Sequence, residues 1–304
     1  MGTTATGKTD LAATLSDVLP IELISVDSSL VYRGMNIGTA KPDKAFLEKY
    51  PHALVDVRDP QDTYSVADFC KDATEAIMQI HQRGNIPLLV GGTNFYFSAL
   101  ENGLPDLPAA DAALRERILD DAKEHGWAEL HKRLAVLDSR RAAKIDPNDA
   151  QRIQRALEIV ELTGAAVPTA ADVSRSTGTH LIKMALAISD RRVLHQRIEQ
   201  RFEKMLAQGL KQEVEALLSG GVPADCTAMK MIGYRQMLDY LGGSTDFKVM
   251  CAATKAATRQ LSKRQLTWMR QQRGITWFIT DGLNSINNGV LAEFVTEKLI
   301  AFGL

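Results

Sequence analysis

Cysteine is scarce in this chain: among 304 residues only Cys70, Cys226 and Cys251 occur, widely separated, odd in number and without a C-x-x-C pair. That spacing argues against a disulfide framework and against a Cys/His zinc site, and predicts reduced thiols in a cytoplasmic protein. Also missing is any run of about 18 apolar residues, so neither a membrane span nor a membrane partner is expected. The first residues lack the pattern of a secretion signal. Neither charge dominates, since 36 Lys and Arg face 37 Asp and Glu. Nucleic-acid binding by bulk attraction is thereby excluded, which leaves local clustering of basic residues as the route. One further absence is local: from Phe247 to Thr280 there is no acidic residue. The 45% hydrophobic content is ample for the core of one large or two modest domains.

What is present begins at the second residue. Gly2-Thr3-Thr4-Ala5-Thr6-Gly7-Lys8-Thr9 fits G-x-x-x-x-G-K-[ST] at every fixed position. In such a phosphate-binding loop the glycines let backbone N–H groups curl around phosphate oxygens, the lysine neutralises charge, and the threonine hydroxyl reaches Mg²⁺. The following helix, starting near Asp10, would present its N-terminus to the anion. Such a loop is normally fed by a buried parallel strand, which predicts about ten further, mostly apolar residues upstream of Met1.

Downstream, strand and helix patterns alternate. Ile21–Val26 reads as a strand ending in Asp27, Leu54–Val57 as a short strand, Val66–Gln82 as a helix, and Ile86–Val90 as a buried strand ending in Gly91-Gly92-Thr93. This alternation predicts an α/β fold, a doubly wound parallel sheet with its ligand crevice at the carboxyl ends of the strands. Asp27 is there a candidate base or metal ligand. Near Gly103–Pro108 the pattern breaks, and residues 109–179 spell an all-helical insertion with helices over Asp111–Glu124, Trp127–Leu137 and Asp149–Thr163. The catalytic core is therefore expected over 1–108 and 180–304. Arg152, Arg155 and Glu158 fall on one polar stripe of the last insertion helix, an arrangement that is usually solvated.

Leu181–Ser189 resumes a strand. On the helix after it, Arg197 and Arg201 are spaced to clamp an anion, or equally to pair with Glu199 and Glu203 on the surface. His195 reads as structural. If Phe247–Arg273 is one helix, Lys248, Lys255, Arg259, Lys263, Arg270 and Arg273 lie within an arc of roughly 80°, opposite Met250, Ala257, Leu261 and Trp268. An unneutralised basic stripe opposite an apolar face suits a nucleic-acid backbone. Ile275–Ile279 as a strand and Gly289–Phe302 as a helix close the chain.

Taken in order, the glycine-rich loop, Ser25-Val26-Asp27-Ser28-Ser29-Leu30-Val31-Tyr32, Gly38-Thr39-Ala40-Lys41-Pro42, Leu89–Thr93, Pro147-Asn148-Asp149 with Arg152 and Arg155, Ile232-Gly233-Tyr234-Arg235 and Lys263-Arg264-Gln265-Leu266-Thr267-Trp268 resemble the bacterial tRNA dimethylallyltransferases. The likeness covers essentially the whole chain. It implies transfer of a dimethylallyl group from dimethylallyl diphosphate to N6 of adenosine 37, beside the anticodon, in tRNAs reading codons that begin with U. It also implies that Gly2 to Thr9 hold the diphosphate, with Thr9 on Mg²⁺, that Asp27 accepts the N6 proton, and that Thr93 and Arg201 steady the diphosphate or reacting centre. The tRNA anticodon stem-loop would meet Asp27, Ser28, Ser29, Leu30, Thr93, Arg115, Gln151, Arg152, Ile153, Gln154 and Arg155. Further contacts would come from Lys230, Met231, Ile232, Gly233, Tyr234, Arg235, Lys263, Arg264, Gln265, Leu266, Thr267, Trp268, Met269 and Arg270. The helical insertion would grip the anticodon loop, and the chain is expected to act as a monomer.

Two features depart from the family pattern: no strand precedes the glycine-rich loop, and Thr3 stands where proline is frequent. A small-molecule kinase is the competing reading, because phosphotransferases share the layout of P-loop and acidic residue. The basic helix argues against it. A non-catalytic RNA-binding protein is a third reading, opposed by the intact Lys8, Thr9 and Asp27.

Overall fold

Two residues in the left-handed region, Ala5 at φ 64° and Gly7 at φ 87°, turn the chain sharply into helix α1 (Lys8–Ser16), which thus starts ahead of the expected Asp10. Strand β1 (Ile21–Val26), helix α2 (Lys44–Lys49) and the short strand β2 (His52–Ala53) follow. The strand expected at Leu54–Val57 is instead a turn, because Leu54 at φ 65° and Asp56 at φ 54° adopt a handedness that extended backbone excludes. Helix α3 (Val66–Gln82) has the expected bounds and opens on a capping box of Ser65 and Asp68. Strand β3 (Ile86–Gly91) and helix α4 (Asn94–Asn102) come next. The computed structural model describes residues 1–168, 181–280 and 288–301.

The chain divides into two compact units, Met1–Glu101 with Thr179–Leu304, and Asn102–Gly178. The second is helical among its described residues, with α5 (Ala112–His125), α6 (Trp127–Leu137), α7 (Ser139–Ala142) and α8 (Ala150–Thr163) around Ile118, Leu134, Ile153 and Leu157. It begins at Asn102, at the break in sequence pattern and seven residues before the expected start at 109. Most of the connector read from Gly164 to Thr179 lies outside the described residues.

The first unit continues with β4 (Lys183–Ile188), α9 (Arg191–Ala207), α10 (Leu210–Ser219), a 3₁₀ turn at Ala228–Lys230, α11 (Tyr234–Leu241), α12 (Phe247–Gln271), β5 (Ile275–Thr280) and α13 (Asn288–Ala301). Phe302, expected at the end of the last helix, lies outside the described residues. Among the described residues the strand pairs are all parallel, as alternation with helices predicts, but they form two sheets, ordered β2-β1-β3 and β4-β5. Met1 and Gly2 run along β4: the Leu186 N–H donates to the Met1 carbonyl at 2.9 Å, and Gly2 bridges Leu186 in parallel. An apolar cavity beside them is lined by Met1, Leu11, Leu88, Val90, Met184 and Leu291. The main core gathers Ile24, Val26, Phe69, Phe202, Leu210 and Met250. Among the described residues no helix is long and apolar enough to cross a membrane.

Candidate active site

The carboxyl ends of β1 and β3 and the turn before α1 lie in one unit, and their side chains build a polar cluster. The loop from Gly2 to Thr9 closes on itself: Thr6 Oγ1 donates to the Thr3 carbonyl at 2.8 Å, and Lys8 Nζ donates to the same oxygen at 3.1 Å. A Cβ on Gly2 would stand 2.9 Å from the Leu186 carbonyl and 3.0 Å from Thr6 Oγ1, so glycine is required for this packing. Desolvation lowers the Lys8 pKa to about 8, with Asp27 opposing the shift and Arg201 adding to it. The Thr9 hydroxyl has no partner among the described residues.

Asp27 terminates β1. Its Oδ1 accepts from the Ser29 N–H at 2.9 Å and from the Ser29 hydroxyl at 2.6 Å, while Oδ2 has no protein partner among the described residues. Thr93 fastens this turn to the end of β3: its Oγ1 accepts from the Ser28 N–H at 3.0 Å, and its own N–H donates to the Val26 carbonyl at 3.2 Å. Arg201, on α9, donates to the Thr39 carbonyl at 3.2 Å; burial lowers its pKa and the charge of Asp27 resists. Lys8, Asp27 and Arg201 thus feel one another electrostatically without an ion pair among them. The arrangement sets two cations near a carboxylate that has one oxygen without a protein partner among the described residues.

The segment Gly34–Pro42 is held by a residue that sequence reading missed. The Glu213 carboxylate on α10 accepts from the Asn36 and Ile37 N–H groups, each at 2.8 Å, from Gly38 N–H at 3.0 Å and from the Tyr234 hydroxyl at 2.7 Å. A glutamate some 175 residues along the chain from its amide partners leaves no local trace.

The expected tRNA contacts separate by exposure. Gln151, Arg152, Lys230, Arg235, Lys263, Arg264, Thr267 and Arg270 are exposed; Asp27, Ser28, Ser29, Leu30, Thr93, Arg115, Gln154, Arg155, Met231, Ile232, Leu266 and Trp268 are partly so. Ile153, Gly233, Tyr234, Gln265 and Met269 are buried, so their side chains, and the Gly233 backbone, do not face solvent in this structure. Ile153 belongs to the core of the helical unit and Tyr234 to the main core. The stripe of Arg152, Arg155 and Glu158 is solvated only in part: Arg152 is exposed and Arg155 half-buried. Glu158 is fully buried and takes hydrogen bonds from Arg115, Arg155 and the Asp111 N–H; burial alone would raise its pKa, but these bonds prevail and lower it.

On α12 the basic stripe is partly neutralised. Lys255 pairs with Glu203 and Arg259 with Glu199, both on α9, so these glutamates do not form the ladder along their own helix with Arg197 and Arg201. Lys263, Arg264, Arg270 and Arg273 are exposed and have no carboxylate within ion-pair distance among the described residues.

Residues 30–272 match the family model described as IPP transferase. A tRNA dimethylallyltransferase of Thiobacillus denitrificans is 53% identical over 276 residues, covering 90% of this chain and 88% of the relative. One of Coxiella burnetii is 46% identical, covering 95% and 94%. Among solved structures, the full-length tRNA isopentenylpyrophosphate transferase of Bacillus halodurans aligns with TM-score 0.73 at 37% identity, covering 99% of this chain and 95% of that one. A eukaryotic dimethylallyltransferase acting on tRNA aligns with TM-score 0.81 at 27% identity, covering 99% and 78%.

Proposed function

The chain belongs to the IPP transferase family, and we propose that it transfers a dimethylallyl group from dimethylallyl diphosphate to N6 of adenosine 37 in tRNAs reading codons that begin with U. The observation supporting this chemistry is the open Asp27 Oδ2 in the same electrostatic neighbourhood as Lys8 and Arg201. The N6 lone pair attacks C1 of the dimethylallyl group, the C1–O bond breaks, and diphosphate leaves with the bonding pair. The N6 proton passes to Asp27 Oδ2. The exocyclic amine is too weak a nucleophile to react unaided, and general-base assistance contributes about 10²–10⁴-fold. The adenosine has to leave its stack to reach a recessed carboxylate. The loop Gly2–Thr9 receives the diphosphate, as the finer P-loop reading of the α/β fold requires, and Lys8 and Arg201 offset its charge.

Mg²⁺ fits the donor set. Among the described residues no group of three or more His, Cys, Asp or Glu side chains could hold a metal, so the ion would be held by the partnerless Thr9 hydroxyl and by diphosphate oxygens, the mode usual for Mg²⁺. When bound it would neutralise charge on the leaving group. Lys263, Arg264 and Arg270 of α12, Lys230 and Arg235 near α11, and Arg115 and Arg152 of the helical unit would contact the anticodon stem-loop, with the enzyme acting as a cytoplasmic monomer.

The test is incubation with labelled dimethylallyl diphosphate, Mg²⁺ and unmodified tRNA carrying A at position 37, followed by digestion and mass spectrometry. A prenylated adenosine is the expected product; its absence, with phosphate transfer from ATP to a small-molecule acceptor instead, would favour the kinase reading.

A further inference from the structure

The sequence run Lys263–Arg270 reads as a single RNA-facing stretch, but the helix divides it. Lys263, Arg264, Thr267 and Arg270 face solvent, whereas Ser262, Gln265 and Met269 face inward. Gln265 is 9% exposed. Its Oε1 accepts from the Thr4 N–H at 2.9 Å, and its Nε2 donates to the Gly92 carbonyl at 2.8 Å. The orientation of the amide is unambiguous, because a backbone N–H can only donate and a carbonyl can only accept. The Gln265 carbonyl in turn accepts from Asn94 Nδ2 at 3.1 Å. Gly92 makes this approach possible: a Cβ there would lie 2.5 Å from Gln265 Nε2 and 3.1 Å from the Gly2 carbonyl.

We propose that Gln265 is a positioning residue that spans the phosphate loop at Thr4 and the β3 terminus at Gly92, and so fixes the distance between donor and acceptor halves of the site. Gly92 is followed directly by Thr93, which fastens the Asp27 turn. One side chain on the basic helix therefore holds the loop that receives the diphosphate in register with the carboxylate that receives the proton. This inference rests on the prenyl-transfer reading, and it removes the Gln265 side chain from the RNA-contacting set.

The experiment uses the full chain with Gln265→Met, which keeps length without polar atoms, and Gln265→Glu, which can accept from Thr4 but sets an acceptor against the Gly92 carbonyl. Pyrophosphate affinity is read by calorimetry, tRNA affinity by filter binding, and kcat and KM by the prenylation assay. Losing both bridging hydrogen bonds in Gln265→Met, or the Gly92 bond alone in Gln265→Glu with two acceptors then opposed, is expected to lower kcat/KM for dimethylallyl diphosphate about tenfold or more, and to weaken pyrophosphate binding while leaving the tRNA Kd within about twofold. A weakened tRNA Kd with unchanged pyrophosphate affinity and unchanged KM for the diphosphate would overturn the proposal. Should both variants fail to fold, Gln265→Asn keeps the amide on an arm one methylene shorter and leaves the exposed cations of α12 in place; the same split is expected, and an unimpaired Gln265→Asn enzyme would refute it. If the wild-type chain binds pyrophosphate and tRNA but makes no prenylated adenosine, the prenyl-transfer reading fails, while the affinity measurements still decide the role of Gln265.

Discussion

The Tyr234 hydroxyl donates to Glu213 Oε1 across 2.7 Å, on the same carboxylate that gathers the N–H groups of Asn36, Ile37 and Gly38. Tyr234 is fully buried, and burial, reinforced by the Glu213 charge, holds its pKa far above the ordinary phenol value. Together the two residues shape the segment whose Thr39 carbonyl receives Arg201.

Tyr234→Phe is expected to destabilise the fold by about 1 kcal/mol, the net worth of one hydrogen bond, and Glu213→Gln by about 1–3 kcal/mol, because backbone donors then lack acceptors. Urea denaturation measures both. The tRNA affinity of Tyr234→Phe should equal that of the wild type, since the hydroxyl is turned into the core.

Asp27→Ala should lower kcat by about 10²-fold or more while the tRNA Kd changes little, the pattern of a lost general base. Single-turnover prenylation with saturating tRNA reads the chemical step. Normal turnover would assign proton removal to another group.

Diphosphate binding should depend on pH through Lys8. Its pKa in the free protein is lowered to about 8 by burial, so below about pH 7 the ammonium is already charged and affinity is flat. Above pH 8 the free protein carries a neutral amine that the anion must re-protonate, and affinity falls by up to about tenfold per unit. Calorimetry of pyrophosphate binding at pH 8.5 in buffers of different ionisation enthalpy should show proton uptake, and Lys8→Met should reduce it by up to about one proton.

The salt dependence of tRNA binding should separate the cations of α12. Removing Lys263, Arg264 or Arg270 is expected to reduce the slope of log K against log salt by about one each. Removing Lys255 or Arg259, already paired with Glu203 and Glu199, should change it less.

In the helical unit, Glu158→Gln should destabilise by about 3–5 kcal/mol, as expected when a buried charge cluster loses one partner. Because the folded-state pKa of Glu158 is lowered, its contribution is present above the unfolded-state value of about 4.5 and is lost as pH falls through the folded-state value. The acid limb of wild-type unfolding should therefore be shallower in Glu158→Gln.

Much of this was legible in the chain. Helix α3 and strand β1 came out with their bounds because their periodicity is strong and Ser65 and Pro20 mark the boundaries. The sharp turn before α1 and the close of β1 at Asp27 were legible because glycines and a break in the apolar run mark them locally. What escaped depends on contacts distant in sequence. Nothing near Glu213 announces three backbone donors from another segment, and nothing near Glu199 or Glu203 announces that they face α12. The turn at Leu54–Asp56 was read as extended because its left-handed residues are not glycines. Gln265 was read with its neighbours, although at 100° per residue it points away from Lys263.

The pairing of Lys255 and Arg259 with α9 also means that α12 does not present a uniform charge. Its middle is muted, whereas the turns around Lys263, Arg264 and Arg270 are left positive. On the prenyl-transfer reading, an RNA backbone would find unpaired cations on the same turns from which Gln265 reaches the phosphate loop, so the grip on the RNA and the support of the loop would share one short stretch of helix.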